Sequence, residues 1–149
     1  MVRDPARTPR LTNQDLIAIF SDEAHVLRLR TGEVLFKNGD PRACMYVVRR
    51  GTLAIRSGKV VYEDVGPGGF VGEMGIVEAL MPRSAMVYAL TEAEIVEIDK
   101  ERLLSLVEEV PGFALAVLRV LSRRLRRMDV RYDAKRPAEL DGCRARKTG

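Results

Sequence analysis

The sequence predicts a mainly β fold: an antiparallel β-roll or jelly-roll barrel with one N-terminal helix and two C-terminal helices. Three observations carry that prediction. From Phe20 to Asp99 the apolar side chains recur with a period of two rather than 3.6. Glycines at 32, 39, 51, 58, 66, 68, 69, 72 and 75 break this stretch into short β-rich runs, the turn spacing of an antiparallel roll. No strand alternates with a long helix before Asp99, which argues against a parallel α/β sheet.

Residues 1–10 are rich in Pro and Arg and are expected to fray. Thr12 or Asn13 can cap a short helix running to Phe20, with Leu16, Ile17 and Phe20 on its apolar face. Leu27 and Leu29 then alternate with Arg28 and Arg30. Further strand runs follow at 34–36, 45–48, 53–55, 60–62, 85–88 and 95–98. Phe70 and Val71 end a strand that enters a small turn or helix at Gly72-Glu73.

At Asp99 the period changes. Asp99 caps a helix of about two turns over Lys100–Glu109, closed by Val110-Pro111-Gly112. The longest helix then spans about 112–132. Its apolar residues Ala114, Leu118, Leu121, Leu125, Met128 and Tyr132 are spaced 4, 3, 4, 3, 4, an a/d-type seam flanked by arginines. Residues 133–149 are polar and contain Pro137 and Gly142, the pattern of a disordered tail. Residues 11–132 therefore make one domain.

Composition narrows the function classes. The chain has 149 residues, 46% of them hydrophobic. That is too apolar for a disordered chain, and a domain of this size buries roughly two-thirds of its unfolded surface without disulfides or metal. Two cysteines, Cys44 and Cys143, and one histidine, His25, supply neither a disulfide framework nor a four-cysteine or multi-histidine metal site. Serines such as Ser105 and Ser122 have no histidine base, so nucleophilic catalysis is not expected. The sequence points to a binding protein that is not an enzyme and uses no cofactor. No apolar run approaches the ~20 residues of a membrane span, and the start lacks an apolar signal core, so a cytoplasmic location without membrane contact is expected.

The formal charge of +4 is unevenly spread. Residues 119–149 hold eleven basic and four acidic side chains, a net of +7, which leaves the preceding 118 residues at −3. Most of this excess is a solvated arginine face on the amphipathic last helix. Non-specific contact with nucleic acid through counterion release is the other use of such a face.

The segment that carries chemistry is Phe70-Val71-Gly72-Glu73-Met74-Gly75-Ile76, followed after six residues by Arg83-Ser84-Ala85-Met86-Val87-Tyr88-Ala89. Glycines let backbone N–H groups approach a ligand, and a helix start favours an anion. A glutamate beside such a site repels the same anion. The conflict resolves for a ligand carrying both an anion and a pair of hydroxyls: Glu73 accepts from a sugar hydroxyl while Arg83 pairs with a phosphate. The Ser84 hydroxyl and the Ser84 and Ala85 amides add donors to that phosphate.

This pattern, V-G-E-M-G-I with P-R-S-A-M-V-Y-A, resembles the phosphate-binding cassette of the cyclic nucleotide-binding domain family. That family includes bacterial catabolite activators, regulatory subunits of cyclic-AMP-dependent kinase and cyclic-nucleotide-gated channels. Phe36, Gly39-Asp40, residues 45–48 and Gly51 resemble the family's early strands and turn glycines, and the likeness covers about residues 11–129. It implies that Glu73 binds the ribose 2′-hydroxyl and Arg83 the cyclic phosphate. Gly72, Met74, Gly75, Ser84 and Ala85 would add cassette contacts, Val71 would touch base or sugar, and Arg124 would lie over or near the base. Activators that use cyclic AMP have small hydroxyl residues where this chain has Met128 and Asp129. Asp129 can accept from the guanine N1–H and N2 amino edge, and Ser84 can bond the guanine amino group of a syn nucleotide. The ligand that the resemblance implies is thus cAMP or cGMP.

The resemblance further implies a stand-alone regulatory module whose C-terminal helices move onto the bound base, read by an effector protein of unknown identity. The seam on the last helix either lids its own barrel or pairs two copies through Leu118, Leu121, Leu125 and Met128. The alternative is a DNA-binding regulator of the catabolite activator type. Only seventeen residues follow Tyr132, too few for a helix-turn-helix, so no specific nucleic acid is expected.

Overall fold

A computed structural model describes residues 10–21, 25–37, 39–40, 44–58, 60–73, 76 and 85–134; the side chains at 60–62 and 128–134 are outside that description. Its elements are α1 (Asn13–Ile19), β1 (Val26–Leu29), β2 (Val34–Phe36), β3 (Cys44–Arg50), β4 (Leu53–Ser57), β5 (Val60–Val65), β6 (Phe70–Val71), β7 (Met86–Ala89), β8 (Ala93–Asp99), α2 (Lys100–Glu109) and α3 (Phe113–Ala134). The eight strands form two antiparallel four-stranded sheets, β1-β8-β3-β6 and β2-β7-β4-β5. The expected jelly-roll architecture is present, as two sheets rather than one closed barrel.

The sheets bury a shared core of Leu29, Phe36, Tyr46, Val48, Leu53, Val71, Val87 and Ile95, with smaller residues between them. Each of the larger side chains contributes about 1.5–3 kcal/mol by leaving water. Strand β3 explains why alternation weakens in the run from Cys44 to Val48. Tyr46 and Val48 join the inter-sheet core, while Met45 and Val47 turn to the opposite face and are equally buried. Across from them stand Ile98 and Val96 of β8. A strand covered on both faces reads as a continuous apolar run.

Helices and aromatic side chains cover that opposite face. Phe113, at the start of α3, meets Phe70 of β6 edge-on at 5.9 Å and Phe20, just past α1, at 6.2 Å. Arg49 of β3 donates through Nη1 to the Ser21 carbonyl (3.2 Å), tying the chain after α1 to the same sheet.

The caps form where the sequence places them. The Asp15 amide donates to Thr12 Oγ1 (3.2 Å), and the Thr12 amide donates to Asp15 Oδ2 (2.7 Å), a reciprocal capping box. The Thr12 backbone bond, joined by its hydroxyl, holds the Asp15 carboxyl below its ordinary pKa. Asp99 caps α2 by accepting from the Arg102 amide at 2.8 Å. Val110 ends that helix before Pro111.

Several elements differ in length from the sequence expectation. Strands β3, β4 and β5 continue into Arg50, Ser57 and Val65, because a backbone ladder extends through outward polar residues as readily as apolar ones. Ala85 precedes β7 instead of opening it, and α3 continues to Ala134. Of the expected tail, residues 135–149 are outside the described residues, as are residues 1–9.

The chain divides into two compact units, Met1–Val117 and Leu118–Gly149. The sheets, α1, α2 and the first turn of α3 belong to the first. The described part of the second is the remainder of α3. Along it Leu118 and Leu125 are 57% and 62% exposed, and Arg123, Arg126 and Arg127 are exposed as well.

Candidate functional site

The site is built where β6 ends. Val71 pairs with Tyr46 of β3 and its side chain lies in the inter-sheet core. Gly72 follows with φ +77°, a left-handed backbone that side-chain-bearing residues adopt at a cost. The turn carries the next side chain inward: Glu73 is 4% exposed, the one buried charged side chain among the described residues. Its Oε2 oxygen is shielded from solvent. Glu73 and Ile76 have helical backbone, and Ile76 is buried.

A carboxylate at this depth persists only where hydrogen bonds or opposite charge offset its lost hydration. Glu73 and Gly72 both take part in such interactions. The two ends of this segment lie in different sheets: β6 is the edge strand of the first, and β7, which opens at Met86, belongs to the second. Ala85, half-buried, stands at the entrance to β7, whose Val87 and Ala89 face the core. The structure thus joins Val71, Gly72, Glu73 and Ala85 within one unit. Met74, Gly75, Arg83 and Ser84 lie outside the described residues.

Arg124 belongs to α3 in the second unit, half-buried and engaged by another group. The side chains of Met128 and Asp129 on the same helix are outside the description.

Other chemistry-bearing residues stand apart from this site. The Cys44 thiol is buried and donates to the Tyr46 hydroxyl at 3.2 Å. His25 is exposed immediately before β1; Cys143 is not among the described residues. Among the described residues no group of three or more His, Cys, Asp or Glu is placed to hold a metal ion. No described helix is long and apolar enough to cross a membrane.

Sequence reasoning missed two supporting features. One is the aromatic set Phe20, Phe113 and Phe70, whose members are far apart in the chain. The other is the ion pair of Arg49 with Glu94 across β3 and β8, at 3.2 Å from Nε and 2.9 Å from Nη2. Arg49's hydrogen bonds, with lesser help from the charges of Arg49, Arg50 and Arg28, hold the Glu94 carboxyl below its ordinary pKa. The available signal was a charged residue flanking each of two apolar strand runs, 45–48 and 95–98.

Residues 26–110 match the sequence model of the cyclic nucleotide-binding domain. The chain is 33% identical over 145 residues to the CRP-like protein Clp of Xanthomonas campestris pv. campestris, a match covering 90% of this chain and 62% of that protein. It therefore spans less than two-thirds of such relatives. The fold is similar to that of the c-di-GMP-responsive global regulator CLP of Xanthomonas campestris, with TM-score 0.70 and 28% identity over 80% of this chain and 63% of that one. It is also similar to the Thermus thermophilus catabolite activator protein, with TM-score 0.67 and 26% identity over 82% of this chain and 58% of that one. The family match takes in the whole cassette from Val71 to Ala85 and stops short of Arg124, Met128 and Asp129. The chain belongs to the cyclic nucleotide-binding domain family and is related to the CRP-like regulators.

Proposed function

We propose that this chain is a cytoplasmic signal-transduction module that binds a 3′,5′-cyclic nucleotide, cAMP or cGMP, and acts by binding rather than by catalysis. The observation that carries this reading is the burial of Glu73 directly after the left-handed Gly72. Burying a carboxylate is costly even where its partners offset part of the lost hydration. An acceptor for ribose hydroxyls, held away from competing water, gains both strength and selectivity.

In this reading Arg83 neutralises the cyclic phosphate, helped by Ser84 and by the amides of the cassette. Glu73 accepts from the ribose 2′-hydroxyl. Arg124, Met128 and Asp129 meet the base from α3, whose position then reports occupancy. That is a population shift driven by the contacts α3 makes only when the site is filled. The exposed Leu118 and Leu125, with Leu121 and Met128, pair two copies, and an effector protein reads the change.

The test is a thermal-shift and competition series with cAMP and cGMP on wild type, Arg83→Ala and the off-site control Arg56→Ala. Removing one charged partner of a phosphate costs about 1.5–3 kcal/mol, so Arg83→Ala should weaken binding roughly ten- to a hundredfold. Arg56→Ala should bind as wild type does. Equal binding by all three proteins contradicts the assignment.

A second ligand reading has its own support. The relative CLP is c-di-GMP responsive, so c-di-GMP belongs in the same series, and a shift with it alone would move the ligand class to cyclic dinucleotides. A sequence-specific, salt-resistant gel shift would instead favour a DNA-binding regulator.

A further inference from the structure

The turn that delivers β6 to Gly72 and Glu73 carries α1 directly on top of it. A Cβ placed on the buried Gly68 would stand 2.7 Å from both Cα and Cβ of Asn13 and 2.8 Å from its carbonyl oxygen. Gly68 also holds φ +83°. On its other side the Gly68 amide donates to the Val48 carbonyl (2.8 Å), and the Val48 amide donates to the Gly69 carbonyl (2.9 Å). The turn is therefore gripped between β3 and the first turn of α1.

That grip matters because β6 is short. Its two residues pair as Val47↔Phe70 and Tyr46↔Val71, so its flanks govern where it lies. The far end of α1 bears on the same strand: Phe20, its C-cap, packs on Phe113, and Phe113 packs on Phe70. Helix α1 thus meets the approach to Glu73 at Gly68 and, through Phe113, at Phe70.

We infer that Gly68 is a positioning residue for the nucleotide site: α1 seated against it sets β6, and β6 sets the Glu73 carboxylate. The inference rests on the cyclic-nucleotide reading above. Hydrogen bonds to ribose hydroxyls tolerate only a few tenths of an ångström, so a displaced turn loses affinity even when the fold survives.

The experiment compares Gly68→Ala with two glycine controls. Gly51 has the same φ of +83° and tighter crowding, since its Cβ would run into the Glu92 carbonyl and stand 2.7 Å from the Ala93 Cα. It lies in the β3–β4 turn, which feeds neither β6 nor Glu73. Gly32 has φ +85° with open space around it, and so reports backbone strain alone.

Nucleotide affinity, melting temperature and ligand-free hydrogen exchange over residues 70–73 are measured on all three and on wild type. Gly68→Ala is expected to weaken binding about tenfold and to speed exchange at 70–73, with a melting temperature no lower than that of Gly51→Ala. Both controls are expected to keep wild-type affinity. Unchanged affinity in Gly68→Ala, or an equal loss in Gly51→Ala, overturns the inference and leaves the functional reading intact. Wild type that binds no cyclic nucleotide overturns both. If Gly68→Ala does not fold, Thr12→Ala strips only the capping box at the exposed start of α1. It should give a smaller affinity loss with faster exchange at 70–73, and no change in either contradicts the role of α1.

Discussion

Two carboxylates near the first sheet, Glu94 and Glu73, are handled in opposite ways, and the difference sets a strand-to-strand contact beside the proposed nucleotide site. Glu94 is the second residue of a seven-residue strand, 19% exposed, and is gripped by the Arg49 guanidinium of the neighbouring strand. Strand pairing alone explains that contact. Glu73 lies past the end of a two-residue strand, after a left-handed glycine, and is more deeply buried. No ladder position requires a carboxylate there. The first glutamate joins β8 to β3; the second is the one proposed above to meet the ligand.

The largest effect expected from breaking this contrast comes from the aromatic support behind Glu73. Phe113→Ala removes the ring that holds both Phe20 and Phe70, and should cost about 3–5 kcal/mol in denaturant unfolding, as large-to-small core changes do. A loss near zero would show that β6 does not depend on Phe113.

Next in size is Glu73→Gln, which keeps the shape and removes the charge. It should weaken cyclic-nucleotide binding roughly tenfold or more while changing ligand-free stability by less than about 1.5 kcal/mol. Glu94→Gln should do the reverse, lowering the melting temperature and leaving affinity unchanged. A matching loss of affinity from both variants would erase the distinction.

A smaller effect concerns α3. Changing Leu118 and Leu125 to Glu alters exposed positions and should move monomer stability by no more than about 0.5 kcal/mol each. If the seam pairs two copies, sedimentation will show the dimer lost in the double variant. Unchanged mass would exclude that seam as the interface.

The subtlest consequence is in pH. The carboxyls of Glu94 and Asp15 both titrate below their ordinary values of 4.5 and 3.8 in the folded protein. Their stabilising contribution is complete above those values and is lost as pH falls through the lowered folded-state values. Glu94→Gln should therefore shallow the acid limb of the stability profile and leave its shape near neutrality unchanged. An unaltered acid limb would mean that the pair with Arg49 adds nothing.

Much of this architecture was legible because its signals are local. Alternating apolar residues mark strand faces, glycines mark turns, and Thr12 and Asp99 mark helix starts by the hydrogen bonds only such side chains make. Glu73 and its glycines stood out because their chemistry conflicts unless a ligand resolves it. What escaped was non-local. Nothing near Phe113 announces that it will meet residues 20 and 70. The depth of Glu73 likewise depends on a sheet whose strands come from both ends of the domain. The burial of β3 on both faces hid its alternation for the same reason.

The measurement that bears most directly on the central claim is calorimetric titration of the wild-type chain with cAMP and with cGMP, repeated on Glu73→Gln. Saturable binding of one nucleotide per chain, weakened roughly tenfold or more in the variant, is the predicted result. Absence of heat with either nucleotide, or an affinity indifferent to Glu73, would contradict the account.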